Sequence, residues 1–259
     1  MLLTEAKYIT FQSPTTERFR RTESALTTVT GATALVTGGQ RGLGKEITRG
    51  LLAAGAARVY VTSRRPSPAA DPRIVPLTFE LAAPRAAEDL AHAAGDVSIV
   101  VNNAGVMTFS PLLSDTQEEV ERVFQAVAFG PLRVARAMAP VLAANGGGAL
   151  VNLHSLTAWI AGFPGSGSYG AAKAALISMT NSLRVELAGQ GTQVLGVQLG
   201  LTDTDLVRDL PGPKNDPAAV AADIVTALAR GATELLADDY SRHFKAALSG
   251  PVEGLIAAG

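Results

Sequence analysis

Short apolar runs of strand length alternate along most of this chain with longer stretches of helical spacing, and that alternation restricts the fold more than any other feature. The strand-like runs are Ala32–Thr37, Arg58–Ser63, Ile74–Glu80, Ser98–Asn102, Ala149–Leu153, Val194–Leu199 and Glu234–Ala237. Between and after them lie helical patterns over Leu43–Ala54, Pro84–Ala94, a long stretch running toward Ala143, Gly170–Ala188, a segment after Pro217 and a short one near Ser241–Leu248. The S-x-x-Q spacing of Ser114–Gln117 reads as a capping box that opens the long helix. Strands that feed helices returning to the next strand pair in parallel through right-handed crossovers. The expected fold is therefore α/β, a single doubly wound parallel sheet of the Rossmann type with helices on both faces.

Composition agrees with this. Of 259 residues, 47% are apolar and only 5% aromatic, which suits helices packed closely on a parallel sheet. Twenty-two basic and 23 acidic residues nearly cancel, so no charge field recruits nucleic acid or a membrane surface. Cysteine is absent, which removes disulfides and thiolate metal sites. No apolar run approaches the length that spans a bilayer. Residues 1–25 carry Glu5, Lys7, Glu17, Arg18, Arg20 and Arg21 without an apolar signal core. They are expected to form a poorly ordered extension ahead of one domain over 26–259, in a cytoplasmic protein.

Ligands of doubly wound sheets bind beyond the carboxyl ends of the strands. The first strand is followed there by T-G-G-Q-R-G-L-G, Thr37 to Gly44. Gly38, Gly42 and Gly44 leave the backbone open to a dinucleotide pyrophosphate, whose charge is favoured at a helix N-terminus. The second strand ends V-T-S-R-R. A site selective for NAD places an acidic residue near this point, but here stand Ser63, Arg64 and Arg65, with Arg41 inside the glycine turn. Guanidinium forks suit a 2′-phosphate, which favours NADP(H). After the fourth strand, Asn102-Asn103-Ala104-Gly105 permits close approach to the adenosine ribose, and an Asn there can tie neighbouring strands together.

A second set of residues suits carbonyl chemistry. Tyr169 stands fourteen residues after Ser155, and Lys173 one helical turn later, in S-Y-G-A-A-K-A-A-L. Hydride addition to a carbonyl requires a proton for the developing alkoxide. Tyr169 can give it if the Lys173 ammonium lowers its pKa, and Ser155 can hydrogen-bond the substrate oxygen. Lys173 could also grip the ribose of the nicotinamide. His92, His154 and His243 are scattered and form no metal spacing, and no G-x-S-x-G elbow points to a serine hydrolase. His154 adjoins Ser155, but successive strand residues face opposite ways, so a structural role is expected for it.

The glycine turn, N-N-A-G, the serine and Y-G-A-A-K together resemble the short-chain dehydrogenase/reductase family, over about Thr28 to Ala237. The resemblance implies a sheet of seven strands, homodimers or homotetramers, and Ser155, Tyr169 and Lys173 as the catalytic set. Arg41 and Arg64 match the family's basic positions in members that prefer NADP. The implied cofactor contacts are Gly38, Arg41, Gly42, Leu43, Gly44, Ser63, Arg64, Glu80, Leu81, Asn103, Ala104, Gly105, Gly200, Thr202 and Thr204, together with Tyr169 and Lys173. Thr202 and Thr204 stand where the nicotinamide carboxamide would be held. Val127 occupies the position of the family's catalytic Asn, which organises a water connecting the lysine to solvent. Glu80 replaces an Asp at the adenine pocket, Leu199-Gly200 replaces Pro-Gly, and the serine-to-tyrosine spacing is one residue longer than usual.

These readings lead to an NADPH-dependent oxidoreductase that interconverts a hydrophobic ketone or aldehyde and its alcohol. Met107, Phe109, Trp159, Ile160, Phe163 and Leu206 are expected to line an apolar substrate pocket, and Leu210–Pro217 to form a mobile lid or its hinge. Two alternatives use the same residues differently. One is an NADP(H)-binding interaction module without redox turnover, suggested by Val127 and the N-terminal extension. The other is a dehydratase or isomerase on the same fold.

Overall fold

The computed structural model describes residues 27–81, 83, 85–108, 110–161 and 167–256. The expectations for residues 1–25, Phe109 and Phe163 fall outside them. Seven strands, β1 (Thr33–Val36), β2 (Arg58–Ser63), β3 (Ile74–Thr78), β4 (Ile99–Asn102), β5 (Gly148–Leu153), β6 (Thr192–Gln198) and β7 (Glu234–Leu236), form one sheet in the order β3-β2-β1-β4-β5-β6-β7. Every pairing is parallel. The chain order reverses between β1 and β4, which places the switch-point crevice beside the glycine turn.

The strand sequences explain why both faces are covered. Side chains alternate across a sheet, and in β1 Ala34 and Val36 enter one core while Leu35 enters the other. Val59 and Val61 against Tyr60, Ile99 and Val101 against Val100, and Ala149 and Val151 against Leu150 repeat the division. The first core also takes Ile47 and Leu51 of α1 (Gly42–Ala53) and Val220, Ile224 and Leu228 of α6 (Pro217–Ala229). The second takes Leu90 of α2 (Ala86–Ala93), Val134, Met138 and Leu142 of α4 (Gly130–Ala144), and Leu183 of α5 (Gly167–Glu186). Strands buried on both faces read as continuous apolar runs, and that made them legible.

Most element ends differ from the sequence reading by one or more residues, three helix starts among them. The helix after β4 begins at Gln117, as α3 (Gln117–Phe124), and its cap is Thr116, whose Oγ1 accepts from Glu119 N at 3.3 Å. Thr116-x-x-Glu119 therefore takes the capping role expected of Ser114-x-x-Gln117. Helix α5 starts at Gly167, three residues early, so Tyr169 is already helical. Helix α7 (Asp239–Ala247) starts two residues early because Asp238 caps it, accepting from Ser241 N.

A π-helical turn at Gln125–Phe129 joins α3 to α4 in one 28-residue helix, Gln117–Ala144. By length and composition it could cross a membrane, which corrects the expectation that no such stretch exists. Half of its most apolar window is buried, as in the core helix of a packed domain.

Candidate active site

Parallel strands deliver their following loops to one edge, and β1, β4, β5 and β6 are contiguous there. The glycine turn, Asn103–Gly105, Ser155 and the 199–216 loop are thus neighbours by topology. The turn is held from below by Thr37 and Asn103. Asn103 Nδ2 donates to Thr37 O at 2.9 Å, while Asn103 N and Ala104 N both donate to Thr37 Oγ1 at 3.0 Å. These bonds tie the ends of β1 and β4 together, as the N-N-A-G motif led us to expect. Gly105 is exposed at the outer end of that motif.

Two glycines show that the turn is built for close backbone approach. A Cβ on Gly44 would lie 2.3 Å from Gly38 O and 2.5 Å from Asn103 Nδ2. Gly42 has φ +51°, and a Cβ there would sit 3.2 Å from Thr204 Cγ2, so the loop after β6 leans onto the turn. Leu43 is half-buried against the first core. Helix α1 begins at Gly42 with no acidic residue in its first turn and no side-chain cap, leaving its N-terminal amides suited to an anion.

Arg41, Arg64 and Arg65 are exposed, and among the described residues none of them forms an ion pair. Ser63 Oγ donates to Gln40 Oε1 at 3.1 Å, and Gln40 also holds Ser67, accepting from its N and donating to its O. Gln40 links the glycine turn to the arginine loop, a role that nothing in its sequence context signalled. Glu80 is exposed just past β3. Leu81 follows it, its carbonyl accepting from Arg133 Nη2 at 2.8 Å.

The Tyr169 side is largely apolar. Tyr169 is 8% exposed and packs in a cluster with Val123, Ala126, Val127, Ala128 and Ala172, flanked by Met107 and Leu81. Val127 is 1% exposed within the π-helical turn, and its aliphatic side chain makes no hydrogen bond toward the lysine. Lys173 is also buried, its Nζ donating to Leu153 O at 2.6 Å and lying 5.7 Å from the centre of the Tyr169 ring. Ser155 sits at the end of β5, its Oγ accepting from Thr157 N and Thr157 Oγ1 at 3.3 and 3.0 Å.

The electrostatics correct one expectation. Burial pushes the Tyr169 phenol up to about 12, opposed only by its hydrogen bond with Ser155, and burial pushes Lys173 down to about 8. The net shift of the phenol is upward, because desolvation in this apolar cluster is its largest cause. The resting site therefore holds a neutral phenol beside an ammonium that sheds its proton readily.

Around this pair, the loops are pinned. Trp159 lies under Lys245 Nζ, 5.4 Å from its ring centre, and Ala161 N donates to Leu255 O at 2.9 Å. Leu206 is 56% exposed on the loop after β6. Thr202 is buried and pairs with Asn215, and Gly200 N donates to Asp238 Oδ2 at 2.7 Å. Asp238 escaped the sequence reading, although an Asp three residues ahead of Ser241 is a helix-cap signal. His154 is buried and faces Thr180, as expected of a structural residue. Among the described residues, no three His, Asp or Glu side chains form a cluster that could hold a metal.

The sequence pattern of a family described as short chain dehydrogenase matches residues 32–214. A 1-deoxy-11-beta-hydroxypentalenate dehydrogenase of Streptomyces exfoliatus is 32% identical over 209 residues, covering 74% of this chain and 76% of that one. A galactitol 2-dehydrogenase of Cereibacter sphaeroides is 32% identical over 186 residues, covering 68% and 73%. A short chain dehydrogenase from Burkholderia cenocepacia, solved in complex with NADP, superposes with a TM-score of 0.81 at 32% identity, covering 88% of this chain and 96% of that one. With the seven-stranded sheet and glycine turn in place, these matches settle the family: the chain belongs to the short-chain dehydrogenase/reductases, a family of oxidoreductases.

Proposed function

We propose that this protein is an NADPH-dependent reductase of a hydrophobic ketone or aldehyde, with Tyr169 as the proton donor. The observation that carries the reading is the buried Tyr169, held as a neutral phenol against Ser155 with the Lys173 ammonium 5.7 Å from its ring, at the strand-end edge that also bears the glycine turn. The residues fit NADP(H): Gly42 and Gly44 leave a cradle that a Cβ would fill, and Arg41 and Arg64 offer guanidinium groups with no carboxylate partner among the described residues. The relative solved with NADP supports the same choice.

When bound there, the cofactor supplies a hydride to the carbonyl carbon. Arg41, Arg64 and Ser63 would hold the 2′-phosphate, the amides at the start of α1 the pyrophosphate, and Thr202 and Thr204 the carboxamide. Ser155 donates a hydrogen bond to the substrate oxygen and Tyr169 transfers its phenolic proton to that oxygen, so the C=O bond becomes CH–OH. Lys173 stabilises the phenolate left behind, because its ammonium is fixed near the ring by Leu153 O. A phenol pushed up to about 12 still gives its proton to an alkoxide, whereas alcohol oxidation would need that phenol ionised beforehand.

The two relatives are named for a pentalenate and for galactitol, chemically unlike substrates, so the substrate class rests on the site itself. Met107 flanks Tyr169, and Leu112, Leu113 and Leu206 are exposed at 56%, 102% and 56% on loops of the same edge. An apolar rim of this kind favours a hydrophobic carbonyl. Val127 favours a second reading, a binding module without turnover. Incubation with NADPH deuterated at the transferable position and a panel of hydrophobic ketones separates the two. Deuterium on the carbinol carbon of the product supports the reductase. NADPH binding with no label transferred to any ketone supports the module.

A further inference from the structure

The loop between β6 and α6 is anchored at both ends on one buried carboxylate. Asp238 is 8% exposed and lies just past β7, outside every residue set considered above for cofactor or substrate. Its Oδ2 accepts from Gly200 N and from Asn215 Nδ2, each at 2.7 Å, and its Oδ1 accepts from Ser241 N at 2.7 Å. Gly200 opens the loop and Asn215 closes it. The two stems also join each other, Asn215 N donating to Leu201 O at 2.8 Å and Asp203 N to Asn215 O at 2.9 Å. Burial would push the Asp238 carboxyl up, but the hydrogen bonds from Gly200, Ser241 and Asn215 outweigh it and hold the group below the usual carboxylate range.

Between these stems, Thr202 and Val207 are the residues that are buried, so the remainder of the loop takes its position mainly from its two ends. That position matters because Thr204 leans on the glycine turn at Gly42. A charge-assisted hydrogen bond is a strong, directional constraint, and here one from a backbone amide and one from a side-chain amide meet on one oxygen. We infer that Asp238 is a positioning residue for the nicotinamide half of the cofactor: it fixes both stems of the 201–215 loop so that Thr204 faces the glycine turn, while α7 keeps the carboxylate in place. The inference rests on the NADP(H) reading above. It assigns to the segment after β7 a part in cofactor binding that acts through the loop and touches no reacting atom.

The test compares NADPH with adenosine 2′,5′-bisphosphate, which carries only the adenine half, on the full-length protein. Asp238→Asn keeps the shape but gives one oxygen site a donor in place of an acceptor. Asn215→Ala removes one anchor and spares the backbone bridge, the helix cap and Asp238 itself. Losing a buried hydrogen bond of this kind weakens NADPH binding roughly tenfold. Both variants should show that loss while binding the bisphosphate as wild type does. Equal weakening of the two ligands, or wild-type NADPH affinity in both variants, would overturn the inference. If Asp238→Asn fails to fold, Asn215→Ala decides alone. A wild-type protein that binds neither ligand would overturn the cofactor reading and this inference with it. Wild-type binding of both ligands, with unchanged variants, would overturn this inference only.

Discussion

Acid should destabilise this protein through His154, the residue just before Ser155. The ring is 6% exposed, with Nε2 2.9 Å from Thr180 Oγ1. Thr180 donates its own proton to Leu176 O at 2.7 Å, so its oxygen accepts from Asn152 Nδ2 and from His154, which assigns the ring proton to Nε2. Burial, then the positive charges of Lys173, Arg184 and Lys245, push the imidazole from its usual 6.5 down to about 3. A native pKa below the unfolded one means that only the unfolded chain gains a proton as pH falls through 6.5. Stability is therefore complete above that pH and declines below it until about pH 3. Between pH 7 and pH 5 the linkage costs about 2 kcal/mol. Urea unfolding followed by fluorescence of Trp159, the chain's single tryptophan, reads this directly. His154→Gln keeps an amide donor for Thr180 but cannot titrate, so wild type should lose about 2 kcal/mol more than the variant over that interval. Equal losses would refute the buried, neutral histidine.

Three further outcomes follow from the site. Because Lys173 is pushed down to about 8 while Tyr169 is pushed up to about 12, kcat/KM for reduction should fall above pH 8 as the ammonium is lost, and a flat profile from pH 7 to 10 would contradict this assignment. Gly44→Ala places a methyl 2.3 Å from Gly38 O, so thermal unfolding should reveal a loss of about 1–3 kcal/mol from overpacking, and NADPH affinity should fall with it. Replacing Arg41 and Arg64 together by Ala should weaken NADPH by a factor of ten or more, roughly one charge-assisted contact, and leave NADH binding nearly unchanged; a parallel loss of both would remove the 2′-phosphate role.

The parts of the fold visible in the sequence were those dictated by burial. Strands covered on both faces must be apolar throughout, and β2 was located to the residue for that reason, while strand ends at the rim drifted by one or two positions. Helix starts were less legible because capping depends on which of several polar residues turns inward: Thr116 rather than Ser114, and Asp238 ahead of Ser241. At the site, residue types needed for close approach or proton transfer stood out, among them Gly42, Gly44, Tyr169 and Lys173. Electrostatic balance did not, because the direction of the Tyr169 shift depends on how deeply Val123, Val127 and Ala172 bury it. Contacts that cross between distant loops, such as Gln40 with Ser67 or Asp238 with Asn215, carry no local pattern and appear only when the sheet brings the strand ends together.

If Tyr169 delivers the proton in an NADPH-dependent reduction, its hydroxyl is required for the chemical step and not for cofactor binding. The most direct measurement is single-turnover oxidation of NADPH with a reducible ketone by wild type and Tyr169→Phe, alongside NADPH affinity for both. The expected result is a fall in the rate of roughly 10²–10⁴-fold with affinity nearly unchanged, since the substitution removes one hydroxyl from a buried ring that keeps its packing. A variant that turns over at close to the wild-type rate would contradict it.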